Sequence, residues 1–117
     1  MPKLIGFDGG IRIVITKAED FPNELYDKVK NLLLEYLQKR HVGLIFACGS
    51  SDSMIGRLLG ELEEQYPNVL FGFMPLSNDE LLYGTDVLIC RQYSKFDDTD
   101  LVRLKTRNLR VEHIVFR

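Results

Sequence analysis

Tryptophan is absent from this 117-residue chain, cysteine and histidine occur twice each, and proline four times. Two cysteines exclude the disulfide framework that staples small secreted domains. Cys48 and Cys90 each close an apolar run, which reads as small buried or rim thiols in a reducing compartment. Two separated histidines and two separated cysteines form no ligand-spaced set, so no metal site is expected. Neither sign of charge dominates: 15 Lys and Arg stand against 17 Asp and Glu, a net charge of −2. That is too weak a field to collect nucleic acid or an anionic membrane surface. The local excess at Arg103, Lys105, Arg107, Arg110 and Arg117 reads as a solvated face before a phosphate patch. No apolar run approaches a membrane span, and no charged-then-apolar leader opens the chain. The expectation is a soluble, cytoplasmic protein with a single domain over residues 1–117, large enough to bury its own core.

What is present is an alternation of short apolar runs with helical periodicities. Leu4 to Phe7 and Ile11 to Thr16 flank Asp8-Gly9-Gly10, a spacing that suggests a hairpin. Ile11 to Ile15, rich in β-branched residues, is the stronger strand. Asn23 is placed to cap a helix in which Leu25, Tyr26, Val29, Leu32, Leu33, Tyr36 and Leu37 share one face. Val42 to Cys48 reads as a strand, and Met54, Ile55, Leu58, Leu59 and Leu62 mark a second helix, stopped near Tyr66 by Pro67. Val69 to Met74 and Asp86 to Cys90 supply two further strands. Short helices are expected from Ser77 or Asn78 to Leu82 and after Thr99, and Val111 to Phe116 supplies a fifth strand. Helices between successive strands imply a doubly wound, mostly parallel sheet, a Rossmann-like or flavodoxin-like three-layer α/β sandwich.

Parallel strands align their carboxyl ends on one rim, so the loops Thr16 to Asp20, Cys48 to Ser53, Pro75 to Asp79 and Arg91 to Phe96 converge there. Cys48, Gly49, Ser50, Ser51, Asp52, Ser53, Ser77 and Arg91 are the candidate ligand-binding residues. The small residues after Cys48 let backbone amides approach a phosphate or carboxylate at the second helix's N-terminus. Against this, Asp52 repels an anion, and Ser51 or Asp52 has the chemistry of a simple helix cap. Neither phosphate-binding glycine motif, G-x-G-x-x-G or G-x-x-x-x-G-K-[ST], occurs, which disfavours the usual dinucleotide and nucleoside triphosphate modes. Cys48 is the one candidate nucleophile, because a helix N-terminus lowers a thiol's pKa. His41 and His113 are not placed to serve it as a base. Asp97-Asp98-x-Asp100 lacks the remaining calcium-loop ligands and reads as loop or cap chemistry.

Two resemblances overlie this reading. Over the whole chain, Ile11-Arg12-Ile13-Val14-Ile15-Thr16, the turn Cys48-Gly49-Ser50-Ser51, Tyr66-Pro67-Asn68-Val69 leading to Pro75, Asp86-Val87-Leu88, Tyr93 and Arg107-Asn108 resemble the SLOG group of Rossmann-like domains, which includes YpsA-type proteins. The resemblance implies a nucleotide-derived ligand. The departures are the single Gly49 where paired glycines are expected, and Lys17-Ala18-Glu19-Asp20 after the first strand. From Leu44 to Ile89 the chain is also similar to the IIB domains of sugar phosphotransferase systems, through Cys48 at a strand end, Tyr66-Pro67 and Ser77-x-x-Glu80-Leu81. That likeness implies a phosphocysteine at Cys48, although the family's Gly-Thr-Ser loop is replaced by Ser51-Asp52-Ser53-Met54.

The functional expectation is a non-enzymatic ligand-binding or regulatory module, with no cofactor, that takes a phosphorylated or nucleotide-like small molecule at the rim. A IIB-like phosphocysteine domain is the first alternative. The second is a self-associating structural module, a homodimer formed through Val111, Ile114, Val115 and Phe116.

Overall fold

The computed structural model describes residues 9–74, 85–91 and 112–116. Leu4 to Phe7, Ser77 with the short helix after it, and the whole segment from Tyr93 through the Thr99 helix to Arg110 lie outside these residues. The described chain runs β1 (Ile11–Ile15), α1 (Tyr26–Lys39), β2 (Val42–Cys48), α2 (Met54–Gln65), β3 (Leu70–Met74), β4 (Val87–Cys90) and β5 (Glu112–Val115). All four strand pairings are parallel, in the order β3-β2-β1-β4-β5. This order is that of the first five strands of the Rossmann sheet, and the sheet is flanked by helices in a three-layer α/β fold.

Hydrophobic content alone accounts for the centre. Ile13, Val14 and Ile15 are wholly buried, as a strand covered on both faces requires. Ile13 and Ile15 join Ile45, Ala47, Val87 and Ile89 on one face. There they meet Val29, Leu33 and Tyr36 from α1, and Met54, Ile55, Leu58, Leu59 and Leu62 from α2. Val14, Leu44, Leu88 and Cys90, which alternate with these along the strands, are buried as well. Right-handed crossovers place α1 and α2 on one face, because the β1-α1-β2-α2-β3 stretch advances steadily in one direction.

Three expectations are corrected. β1 has β2 on one side and β4 on the other, which leaves no edge for an antiparallel hairpin partner. Asn23 does not cap α1: it opens a 3-10 turn, Asn23–Leu25, and its Oδ1 accepts from Arg57 Nη2 on α2 at 2.9 Å. Leu25 stands at the N-cap of α1 with no side-chain bond, because the preceding turn already delivers the chain in helical geometry. α2, finally, is capped neither by Ser51 nor by Asp52. Ser53 is in extended geometry, and its Oγ accepts from the Gly56 amide at 3.2 Å.

Polar groups close the outer seam between the two helices. Glu61 of α2 accepts from the Tyr26 hydroxyl and from Lys30 Nζ at 2.5 Å, both on α1. These bonds, that from Lys30 foremost, hold the Glu61 carboxyl below its usual range, and the same carboxylate raises Lys30 and Tyr26. A depressed carboxyl stabilises the fold above its unfolded pKa and loses that contribution as pH falls through the folded value. Glu61→Gln is therefore expected to lower the melting temperature at neutral pH, by an amount that shrinks as pH falls from neutral toward 3. Thermal melts of both proteins across that range check this, and an equal deficit at both ends would contradict it.

Candidate functional site

The reversal of strand order falls between β1 and β4, since β2 and β3 lie to one side of β1 and β4 and β5 to the other. In open α/β sheets this reversal opens a crevice beyond the strands' carboxyl ends, with no crossover helix closing it. The chain leaving β1 turns there through Thr16 and Lys17 into the 3-10 turn Ala18–Asp20. Thr16 is buried and tied to β4: its amide donates to the Ile89 carbonyl at 2.9 Å, and its Oγ1 to the same oxygen at 3.4 Å. Lys17 takes a left-handed backbone conformation, φ 47°, which costs about 1 kcal/mol for a side chain of this kind. Phe21, just beyond, stacks edge-on against Phe116 after β5, with centroids 6.0 Å apart. The β1 loop is thereby anchored to β4 and to the far side of the sheet.

The loop after β2 lies against this one. Gly49, at φ +135°, has no room for a Cβ, because Glu19 Oε2 and the Ala18 backbone occupy the position. A carboxylate from the β1 loop is thus pressed onto the turn that leads into α2. Within that turn the serines bond to their own backbone. Ser50 Oγ accepts from the Asp52 amide at 3.1 Å, and Ser53 Oγ donates to the Ser50 carbonyl at 2.7 Å. Gly56 is required as well, since the Ser51 carbonyl fills the space a side chain would take. The amides of Asp52, Ser53 and Gly56 are consequently engaged within the turn, and Glu19 adds a negative charge beside it.

Of the residues singled out from the sequence, Cys48 through Ser53 form one continuous turn. Cys48 is buried at the end of β2, Ser50, Ser51 and Asp52 are exposed, and Ser53 is half-buried. Arg91 is half-buried just past β4. Because β1 intervenes, it stands two strand spacings from β2, about 10 Å away. Ser77 lies outside the described residues. Sequence reasoning placed the Thr16 to Asp20 loop on the rim but did not count Thr16, Lys17 and Glu19 as site residues. The available signal was a run of both charges directly after the strongest strand.

The Cys48 thiol does not follow the expectation drawn from its place before a helix. Burial first, and the Glu19 carboxylate second, push its pKa up to about 11, while Lys17 opposes them. Desolvation of the thiolate outweighs the helix end. Among the described residues no group of three His, Cys, Asp or Glu is placed to hold a metal ion, and no helix is long and apolar enough to cross a membrane.

Comparison of the chain with protein-family models, with curated proteins and with solved structures finds no match. The likenesses to SLOG and IIB-like domains therefore stand on the residues quoted for them, and the geometry of the rim carries the functional argument.

At a pKa of about 11 roughly one Cys48 thiol in ten thousand is ionised at pH 7. Alkylation of the folded protein at Cys48 is expected to be far slower than that of an unfolded control, and to accelerate only in strongly alkaline solution. Site-resolved mass spectrometry after timed iodoacetamide exposure reads this directly. Rapid labelling at mildly acidic pH would contradict it.

Proposed function

We propose that this chain is a non-enzymatic ligand-binding or regulatory module whose site is the crevice between the carboxyl ends of β1 and β4, bordered by the turn after β2. The observation that carries the proposal is the reversal of strand order at β1. In this class of sheet, that is the position where loops diverge and leave room for a ligand.

The ligand class follows from the groups on the rim. Glu19 and Asp52, with the Ser50 and Ser51 hydroxyls, suit the hydroxyls of a sugar, and Lys17 and Arg91 suit a phosphate. A nucleotide-derived or other phosphorylated sugar-bearing molecule satisfies both sets. Its phosphate sits toward Lys17 and Arg91, because Glu19 and the self-bonded serine turn make the start of α2 a poor anion cradle. Catalysis is not part of this reading. The phosphocysteine alternative needs a thiolate at Cys48, which burial and Glu19 both oppose.

Native mass spectrometry of the protein with a panel of nucleotides and sugar phosphates tests the proposal. One of them is expected to be retained, and Lys17→Glu to weaken it by about tenfold or more, a loss of about 1.4 kcal/mol. Arg57→Ala, on the outer seam of the helices, is expected to leave it unchanged. Retention of none, or retention indifferent to Lys17, would overturn the site.

A further inference from the structure

Among the described residues, positive φ is found at Gly9, Gly10, Gly49 and Lys17, the last at φ 47° and ψ 62°. Glycine enters this region freely, and asparagine more readily than most, whereas a Cβ ordinarily crowds the following carbonyl oxygen. The chain thus uses glycine at three such positions and departs from it at the one directly behind β1, on the rim of the strand-order reversal.

The lysine side chain does not serve the turn it occupies. That turn is closed by backbone bonds, from the Asp20 amide to the Lys17 carbonyl at 2.9 Å and from the Phe21 amide to the Ala18 carbonyl at 3.3 Å, and by the burial of Ala18 and Phe21. Any residue at position 17 supplies the same carbonyl. Nor does the ammonium join an ion pair. Those among the described residues are Arg12 with Asp86, Lys30 with Glu61, Lys39 with Glu35 and Arg40 with Glu112. Strain that brings the fold nothing in return is typical of positions that serve a ligand.

What the strain achieves is visible in Glu19. In an extended chain, residues i and i+2 share a face, so Lys17 and Glu19 would stand side by side and neutralise one another. The left-handed residue and the 3-10 turn after it break that alternation, and the Glu19 carboxylate lies instead on Gly49. Both charges still reach the end of β2: the Cys48 thiol, governed first by burial, is raised further by Glu19 and drawn the other way by Lys17.

We infer, resting on the proposed site between β1 and β4, that Lys17 is held left-handed to keep its ammonium apart from Glu19 and available to the phosphate of the ligand, so that the fold gives up stability at this position for binding. Stability and affinity then move in opposite directions when Lys17 is replaced by a residue suited to the backbone, which a purely structural lysine would not do.

Thermal melts of the full chain, read beside titrations with ribose 5-phosphate and adenosine 5′-monophosphate, test this on two variants. Lys17→Asn relieves the strain and removes the charge. It is expected to melt higher by about 2 °C or more and to bind whichever probe the wild type binds about tenfold more weakly, or worse. Lys17→Ala keeps the strain and removes only the charge, and is expected to melt with the wild type while losing the same affinity. Melting of either variant well below the wild type would show the lysine stem serving the fold and would overturn the inference alone, since the wild-type titration still reports on the site. Variants of the expected stability that bind as tightly as the wild type would overturn the inference and the site together, as would a wild-type chain that binds neither probe.

Discussion

Pairing of β1 on both sides is the constraint from which the other features follow. Once β2 and β4 occupy its two edges, every residue from Ile13 to Ile15 is removed from water. Such a strand tolerates only apolar side chains along its middle, and truncating one of them costs on the order of 1 to 5 kcal/mol. The single charge in β1, on Arg12, sits at the strand's start. There Asp86 Oδ2 takes both its amide, at 2.8 Å, and its Nε, at 3.2 Å. The order reversal at β1, the anchoring of Thr16 to Ile89 and the position of the rim are consequences of that central placement.

Polar chemistry is arranged around this core without entering it. The Tyr26, Lys30 and Glu61 cluster seals the outer seam of the two helices. At the other end of α1, Tyr36 has its pKa pushed up to about 12, by burial first and by its bond to Glu112 second, and Arg40 lies 5.7 Å over its ring. These contacts tie the carboxyl end of α1 to the start of β5. On the rim, by contrast, charges of both signs meet solvent: Lys17 and Glu19 belong to a loop held at each end by buried residues, Thr16 and Phe21. A rigidly anchored loop whose charges make no ion pair among the described residues is suited to recognition, whereas the seam groups are already paired with one another.

Periodicity made the elements legible. β-branched residues from Ile11 to Ile15 and the three-and-four spacing of Val29, Leu33 and Tyr36 are local signals, and local sterics and burial produce them directly. Strand order is not local: nothing in Ile11 to Ile15 states that its neighbours are β2 and β4, and so the glycine pair before it was read as a hairpin turn. Capping was legible in type but not in place. Three serines and an aspartate compete between Ser50 and Ser53, and only the backbone geometry at Ser53 decides among them. Likewise Asn23 has the chemistry of a cap, yet the neighbouring helix supplies Arg57 as a better partner. The rim itself was visible as a strand-to-helix junction, but the Glu19 carboxylate on Gly49 joins loops thirty residues apart and leaves no local trace. That contact is the reason the proposed ligand position lies toward β1 and β4 and not at the start of α2.

The most direct test of the central claim is a residue-resolved map of where a small molecule touches the protein. Amide chemical shifts of the labelled protein, recorded while a nucleotide or sugar phosphate is titrated in, would supply it. The account requires the largest changes at Thr16 to Glu19 and Arg91, lesser ones at Gly49 to Ser53, and none along the outer seam at Lys30 and Glu61. Changes centred on the start of α2 alone, or on the outer face of the helices, would contradict it.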